Sequence, residues 1–476
     1  MSQPCDLSAA QARRLIGIKA LSPVELLESC ARRIAEQDTR LNAFVALDLE
    51  RARRQAQVAQ DAVVKGGPLG LLHGLPVGVK DLDATAGLTT TWGSLIYKDF
   101  VPDEDDVHVR RIRSAGGIVM GKTNTPEFGA GSNTTNRVYG ATGNPFDSEK
   151  TCGGSSGGSA VALASGMVPL ATGSDYGGSL RTPAAFCGVV GFRPSPGLVP
   201  YPARTALFSP MSVLGPMART VADAHMLLKA EIGTDKLDPF SSDDHQSIPA
   251  QLEPADLSTL KAAFSVDLGC APMDRDIAGV FDARSALLRS AFRSAETRDP
   301  ALGNAMEIFE VIRGLNFVTN HSEHLENHRE LLGSNVVDNV ERGLRFSIAD
   351  VARAQLEQAL IYQRFNRMFE EIDVLICPTA AISPFAHAKL YPDSINGVKL
   401  PTYMSWYAIT YLLSLALPSI VSLPCGLDHM GMPFGIQVVG PVGSDAKVLA
   451  IAAALEQELA RHPQTRRPIP SWVSAP

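Results

Sequence analysis

The sequence predicts an α/β protein built around a covered β-sheet, with a helical segment leading into it. Two observations carry this reading. Short apolar runs punctuated by glycine recur along the chain: LPVGVKD (75–81), GGIVMGKT (116–123), GMVPLATGSD (166–175) and CGVVGFRPS (187–195). They read as buried strands, and helical stretches at 107–114 and 159–165 lie between them, an alternation that places helices over the faces of the sheet.

The elements follow in order. Residues 1–66 form the N-terminal helical segment, expected to pack on a core made by 67–476. Ser22-Pro23-Val24-Glu25 is a capping box with proline at the first helical position. Behind it Val24, Leu26, Leu27, Cys30, Ile34 and Ala35 recur at helical spacing. A second helix is expected over 44–64, closed by the turn-rich Lys65-Gly66-Gly67-Pro68-Leu69-Gly70. Residues 233–258 are polar and proline-containing and read as a surface excursion, followed by a mostly helical stretch over 275–345. A long helix over 348–371, capped by Ser347, delivers the apolar strand IDVLICPT (372–379). PFGIQVVGP (433–441) is a last core strand, and 444–461 a closing helix. The uncharged, strongly apolar segment 400–427 contains Ser405, Ser414, Ser419 and Ser422, with Pro418 inside it. It reads as a buried helix that breaks at the proline and runs into a core strand, not as a membrane span.

Composition bounds the function. The 476 residues suffice for two ordinary domains or one large one, and 45 % apolar content fills a sizeable core. A net charge of −7 with 20 % charged residues argues against a nucleic-acid binder. The N-terminus lacks the long apolar core of a signal peptide. The seven cysteines are scattered, odd in number and never spaced CxxC, so a disulfide framework or zinc ribbon is not expected and a reducing cytoplasm is.

Four features are candidates for chemistry. The first is TCGGSSGGSA (151–160), in which Gly153-Gly154-Ser155-Ser156-Gly157 fits the GxSxG nucleophile elbow. That elbow follows an apolar strand, whereas NPFDSEKTC before it is polar and turn-forming. A linker fits no better, because AVALASGMVPLATG continues the domain at once, which leaves a tight functional loop. The second is GSDYGGSLRTPAAFCG (173–188), where Ser179 follows two glycines and consecutive N–H groups are free to bind negative charge. The third is Lys80, closing the apolar run 75–80; it is either a lysine snorkelling at a strand end or a desolvated base. The fourth is His321, His324 and His328 at i, i+3 and i+7, read as a solvated polar helix face in preference to a metal site. Trp92 and the acidic run Asp103-Glu104-Asp105-Asp106 are read as packing and surface charge.

Together, Lys80 in G-x-P-x-x-x-K-D, GGSSGGS (153–159) and GSDYGGSLRTPAAFCGVVGF (173–192) resemble the amidase signature family. The resemblance runs from about residue 22 to 221 through GKTNTPEFGAGS (121–132), and resumes at ICPT (376–379), LPSIVSLPCG (417–426) and MPFGIQVVGP (432–441). It implies the amidase-signature fold, a large mixed β-sheet covered on both faces by helices, with 235–345 as a variable helical insertion. It implies a Ser-Ser-Lys triad with Ser179 as nucleophile, Ser155 as bridge and Lys80 as base, and a cis peptide at Gly154–Ser155. The N–H groups of Tyr176, Gly177, Gly178 and Ser179 would form the oxyanion hole. Gly129, Ala130, Gly131, Ser132 and Tyr176, with parts of 300–345 and 400–415, would line the substrate pocket. Two departures stand out: Tyr176, where many members carry a smaller residue, and Arg181-Thr182-Pro183 in place of the Arg-Gln-Pro of glutamine-transferring members.

The expected activity is therefore hydrolysis of a small-molecule amide, extending to aryl amides, esters and carbamates, through an acyl-enzyme. No metal, organic cofactor, nucleic acid or membrane partner is expected, and the amphipathic N-terminal helices offer a homodimer contact. The alternatives are the amidase-like subunit of a glutamine amidotransferase, supplying ammonia for Gln-tRNA formation, a non-catalytic scaffold, and a hydrolase using Ser155 with His429 as base.

Overall fold

The computed structural model describes residues 3–473. Three helices come first: α1 (Ala9–Gly17), α2 (Pro23–Leu41) and α3 (Leu49–Lys65). The capping box of α2 forms as expected, with Ser22 Oγ accepting the Val24 N–H and Glu25 accepting the Ser22 N–H. Asn42 in the left-handed region ends α2, and the Asp38 carboxylate accepts the N–H groups of Ala43 and Phe44 at 2.6 and 3.0 Å. That turn sends the chain into strand β1 (Phe44–Leu47), and Asp48 caps α3 by accepting the Arg51 N–H. The helix expected over 44–64 thus begins only at Leu49.

Ten further strands complete one mixed sheet with β1: β2 (Pro76–Lys80), β3 (Ile118–Thr123), β4 (Leu170–Asp175), β5 (Val190–Arg193), β6 (Val213–Ala218), β7 (Lys261–Phe264), β8 (Ser294–Thr297), β9 (Val374–Pro378), β10 (Ser419–Leu427) and β11 (Pro433–Gly440). Their order across the sheet is β1-β3-β2-β4-β6-β5-β10-β11-β9-β7-β8. The helices that cover it are α4 (Val107–Ser114), α5 (Gly157–Ala164), α6 (Arg181–Cys187), α7 (Val221–Glu231), α8 (Arg275–Leu288), α9 (Ala305–His328), α10 (Ser334–Arg345), α11 (Ile348–Met368), α12 (Ala408–Ser414) and α13 (Asp445–Ala460).

The continuous apolar runs mean what they predicted. Every residue of β2, β3, β4, β6 and β11 is buried, so both faces of the central sheet are covered. Strand β9 shows the two cores directly: Val374 and Ile376 join one hydrophobic cluster, Leu375 and Cys377 the other. At the sheet edge β8 is mostly exposed, and it interrupts the stretch read as mostly helical. Pro418 behaves as expected: α12 ends at Ser414, Leu417 takes a positive φ of 57°, and β10 starts at Ser419. No helix among the described residues is long and apolar enough to cross a membrane.

This topology places the chemistry. Strands β2 and β4 are parallel neighbours, so Lys80 and Asp175, their last residues, lie at the same end of the sheet. Carboxyl ends of adjacent parallel strands are where open α/β sheets bind ligands.

Candidate active site

Lys80 is fully buried, and its Nζ contacts three hydroxyls: Ser155 Oγ at 2.7 Å, Ser156 Oγ at 2.9 Å and Ser174 Oγ at 2.9 Å. The side chain does not snorkel. Burial disfavours its ammonium form and pulls the pKa down to about 7, against the opposing pull of Asp83 and Asp175. An amine with such a pKa is in large part neutral near pH 7 and can accept a proton from a hydroxyl already within hydrogen-bond reach.

The loop carrying Ser155 is held from residues 132–134. Ser132 Oγ donates to the Gly154 carbonyl at 2.9 Å, and Thr134 gives both its Oγ1 and its N–H to the Gly153 carbonyl. The Gly154–Ser155 peptide is cis. Gly153 has φ +78°, and a Cβ there would lie 2.9 Å from the Pro183 Cα, so glycine is required by both backbone and space.

The second loop leaves β4 at Asp175. This buried carboxylate accepts the Gly178 N–H (2.8 Å), the Leu180 N–H (3.1 Å), Arg181 Nε (3.0 Å) and Nη2 (2.9 Å), and Arg193 Nη1 (3.1 Å). The two guanidinium groups hold it well below the usual carboxylate range despite burial. Thr410 Oγ1 donates to the Gly177 carbonyl at 2.8 Å. Among the described residues the N–H groups of Tyr176, Gly177 and Ser179 make no hydrogen bond, whereas that of Gly178 is committed to Asp175. The set of free donors is therefore three, not the four expected. The two loops are tied by the Ser156 N–H, which donates to the Ser179 carbonyl at 3.1 Å.

Ser155, Ser174 and Ser179 open onto one cavity of about 430 Å³. Gly129 and Tyr176 line it as expected. Ala130 instead packs in a small cluster with Val336 and Val340, Gly131 faces Asn335, and Ser132 is spent on the Ser155 loop. The segment 400–415 does not reach the cavity, whereas α9 does, through Arg313, Phe317, His321 and His324.

Three readings need correction here. His321 and His324 are not a solvated face: they line the cavity, share an Nδ1···Nδ1 hydrogen bond of 3.3 Å, and pack on Phe128 with ring centroids 4.4 and 5.5 Å away. Burial drives the His321 pKa down to about 3, so it is neutral. Trp92 also lines the cavity, stacked on Phe100 and edge-on to Tyr97. Asp106, from the acidic run, is a third wall residue, and its Oδ2 accepts the Ala84 N–H at 2.7 Å. The signal for the α9 wall was the spacing of Arg313, Phe317, His321 and His324 on one helical face. His429 lies beside Asp276 and does not line this cavity, so it is not placed to serve Ser155 as a base.

The Amidase family model matches residues 25–449. The chain is 33 % identical to an acylamidase of Rhodococcus erythropolis over 453 residues, covering 94 % of this chain and 95 % of that one. It is also 33 % identical over 472 residues to a glutamyl-tRNA(Gln) amidotransferase subunit of Picosynechococcus sp., covering 93 % and 96 %. A crystal structure of a bacterial aryl acylamidase of the amidase signature family superposes with a TM-score of 0.87 at 27 % identity, over 95 % of this chain and 96 % of that one. With a large mixed sheet flanked by helices and a family match across nearly its whole length, the chain belongs to the amidase signature family of enzymes.

Proposed function

We propose that this protein is an amidase that hydrolyses the C–N bond of a small amide, aryl amides and carbamates included, through Ser179, Ser155 and Lys80. The observation that carries the reading is the buried Lys80 Nζ 2.7 Å from Ser155 Oγ, at the floor of a cavity that Ser179 also lines. Ser179 Oγ attacks the carbonyl carbon while its proton passes to Ser155 Oγ and the Ser155 proton to neutral Lys80. The carbonyl oxygen, now negative, is stabilised by the free N–H groups of Tyr176, Gly177 and Ser179. The C–N bond then breaks, and the proton returns through Ser155 to the departing nitrogen. Water attacks the acyl-Ser179 ester by the same relay, releasing a carboxylate and restoring the serine. The similarity to an acylamidase and to an aryl acylamidase supports the reaction class. Seven free cysteines, six of them buried, fit a reducing cytoplasm.

A fluorophosphonate tests the assignment, because it traps the attacking serine. The expected adduct is on Ser179; an adduct on Ser155 overturns the relay. The similarity to the amidotransferase protein favours a second reading, in which the ammonia passes to a partner protein. Glutaminase activity together with stable co-purification of a second protein would establish it in place of the first.

A further inference from the structure

We infer that Arg313 is a substrate-recognition residue and that the favoured substrates are amides bearing a carboxylate. The inference rests on the proposed amidase reading. Arg313 projects from α9, is 5 % exposed, and lines the cavity that holds Ser155 and Ser179. A guanidinium stays charged at any physiological pH, and a buried charge is costly unless an opposite charge meets it.

The other buried arginines near the site obey that rule. Arg181 and Arg193 share Asp175, and Arg204, which also lines the cavity, is paired with Asp238. Arg219, further off, spends its two Nη groups on the carbonyls of Leu163, Val168, Cys5 and Leu7. Arg313 has no carboxylate partner among the described residues. Its Nε donates to Asn339 Oδ1 at 3.0 Å and its Nη2 to the Tyr403 hydroxyl at 2.9 Å, both neutral groups. Its Nη1 donates to nothing among the described residues. Against the pull of burial, the phenols of Tyr403, Tyr407 and Tyr176 favour its charged form.

Asn339 and Tyr403 thus act as a rear clamp that fixes the guanidinium plane. The Tyr176 ring lies 5.8 Å from its Cζ and that of Phe317 4.6 Å, so one guanidinium edge faces the cavity between two aromatic walls. Tyr176 also belongs to the loop whose N–H groups face the reacting oxygen, so the positive charge sits one ring away from the reaction centre. Among the described residues Asp106 is the one carboxylate on the cavity wall, and it is turned onto the Ala84 N–H. His321 is neutral, as argued above. A substrate carboxylate is the group that completes Arg313, bound through the planar fork that guanidinium offers.

The carboxylate can belong to the acyl half, as in a half-amide of a dicarboxylic acid, or to the amine half, as in an N-acyl amino acid. Two matched pairs separate the sources: glutaramate against pentanamide, and N-benzoylglycine against N-propylbenzamide. For the full-length protein, kcat/KM for the charged member of at least one pair should exceed that of its neutral partner by about 30-fold or more. Arg313→Gln should collapse that ratio, and Arg313→Lys, which keeps the charge but loses the fork, should leave an intermediate value. Equal rates within both pairs, or a ratio unchanged in Arg313→Gln, overturn the proposal while leaving the amidase reading intact. A second readout needs no variant and no turnover: glutarate or benzoylglycine should slow fluorophosphonate labelling of the native protein, and pentanamide at equal concentration should not. If none of the four amides is hydrolysed but the anions protect, the amidase reading fails and the carboxylate site stands. If neither anion protects, the site is refuted.

Discussion

The Gly178 N–H donates to the Asp175 carboxylate across 2.8 Å, and this one bond explains the shape of the loop that bears Ser179. The carboxylate is held by Arg181 and Arg193 from behind, so it serves as a fixed post around which the chain turns. With Gly178 pinned inward, the neighbouring N–H groups are left for the cavity.

Removing the post should cost both fold and function. Asp175→Ala leaves two buried guanidinium groups without a counter-charge, a change that destabilises by about 3–5 kcal/mol. Chemical denaturation should show that loss as a lower midpoint. Asp175→Asn keeps an acceptor for Gly178 but not the charge, so it should still lose stability and should retain more activity per folded molecule than the alanine variant.

Gly178 itself tolerates no side chain. Its φ is +127°, and a Cβ would lie 2.2 Å from Thr410 Oγ1. Gly178→Ala should displace the free N–H groups on either side of it and so lower kcat by about 100-fold or more, the size of effect seen when an oxyanion donor is lost. Adding Thr410→Ala relieves the clash but not the backbone strain. Steady-state kinetics on the double variant should show partial recovery; full recovery would show that crowding alone matters.

The acid limb of the rate profile should report Lys80. The lysine works as a base only when neutral, and burial places its pKa at about 7. kcat/KM should therefore rise with pH through about 7 and level off above it. Asp83 raises the Lys80 pKa by its charge, so Asp83→Asn should move the limb to lower pH. A limb that moves up, or stays put, contradicts Lys80 as the titrating base.

Replacing the base should nearly abolish turnover. Lys80→Met keeps the length of the stem without the amine, and a general base is worth about 10²–10⁴-fold. Single-turnover assays should show acylation slowed by at least that range, with the far-ultraviolet circular dichroism unchanged. Near-normal rates would remove Lys80 from the mechanism.

Much of this was legible in the chain, and the exceptions have physical causes. The central strands showed as unbroken apolar runs because both of their faces are covered. Strand β1 hid inside a helical reading, since four residues carry too little pattern; Asp48, a cap three residues before Arg51, was the available sign of the true helix start. That Lys80 would meet Ser155, and that Ser155 and Ser179 would share one site, followed from spacing and resemblance. Ser156 and Ser174 as further partners of Lys80 did not, because they come from separate segments, the loop before α5 and strand β4. His321 and His324 misled for a different reason. A polar helical face has the same periodicity whether it meets solvent or a cavity, and only the packing of α9 on Phe128 decides.

The main-chain bond from Ser156 to the Ser179 carbonyl divides the protein into two workshops. Everything that would make and break bonds comes from residues 80–179, and this main-chain bond fixes its two serine loops to each other. The rest of the cavity wall comes from segments 82–129 and 201–212 and from α9, the last more than a hundred residues later in the chain. Substitutions along that helix can therefore retune which amide is accepted without touching the tools that cut it, and directed evolution toward a new substrate should begin there.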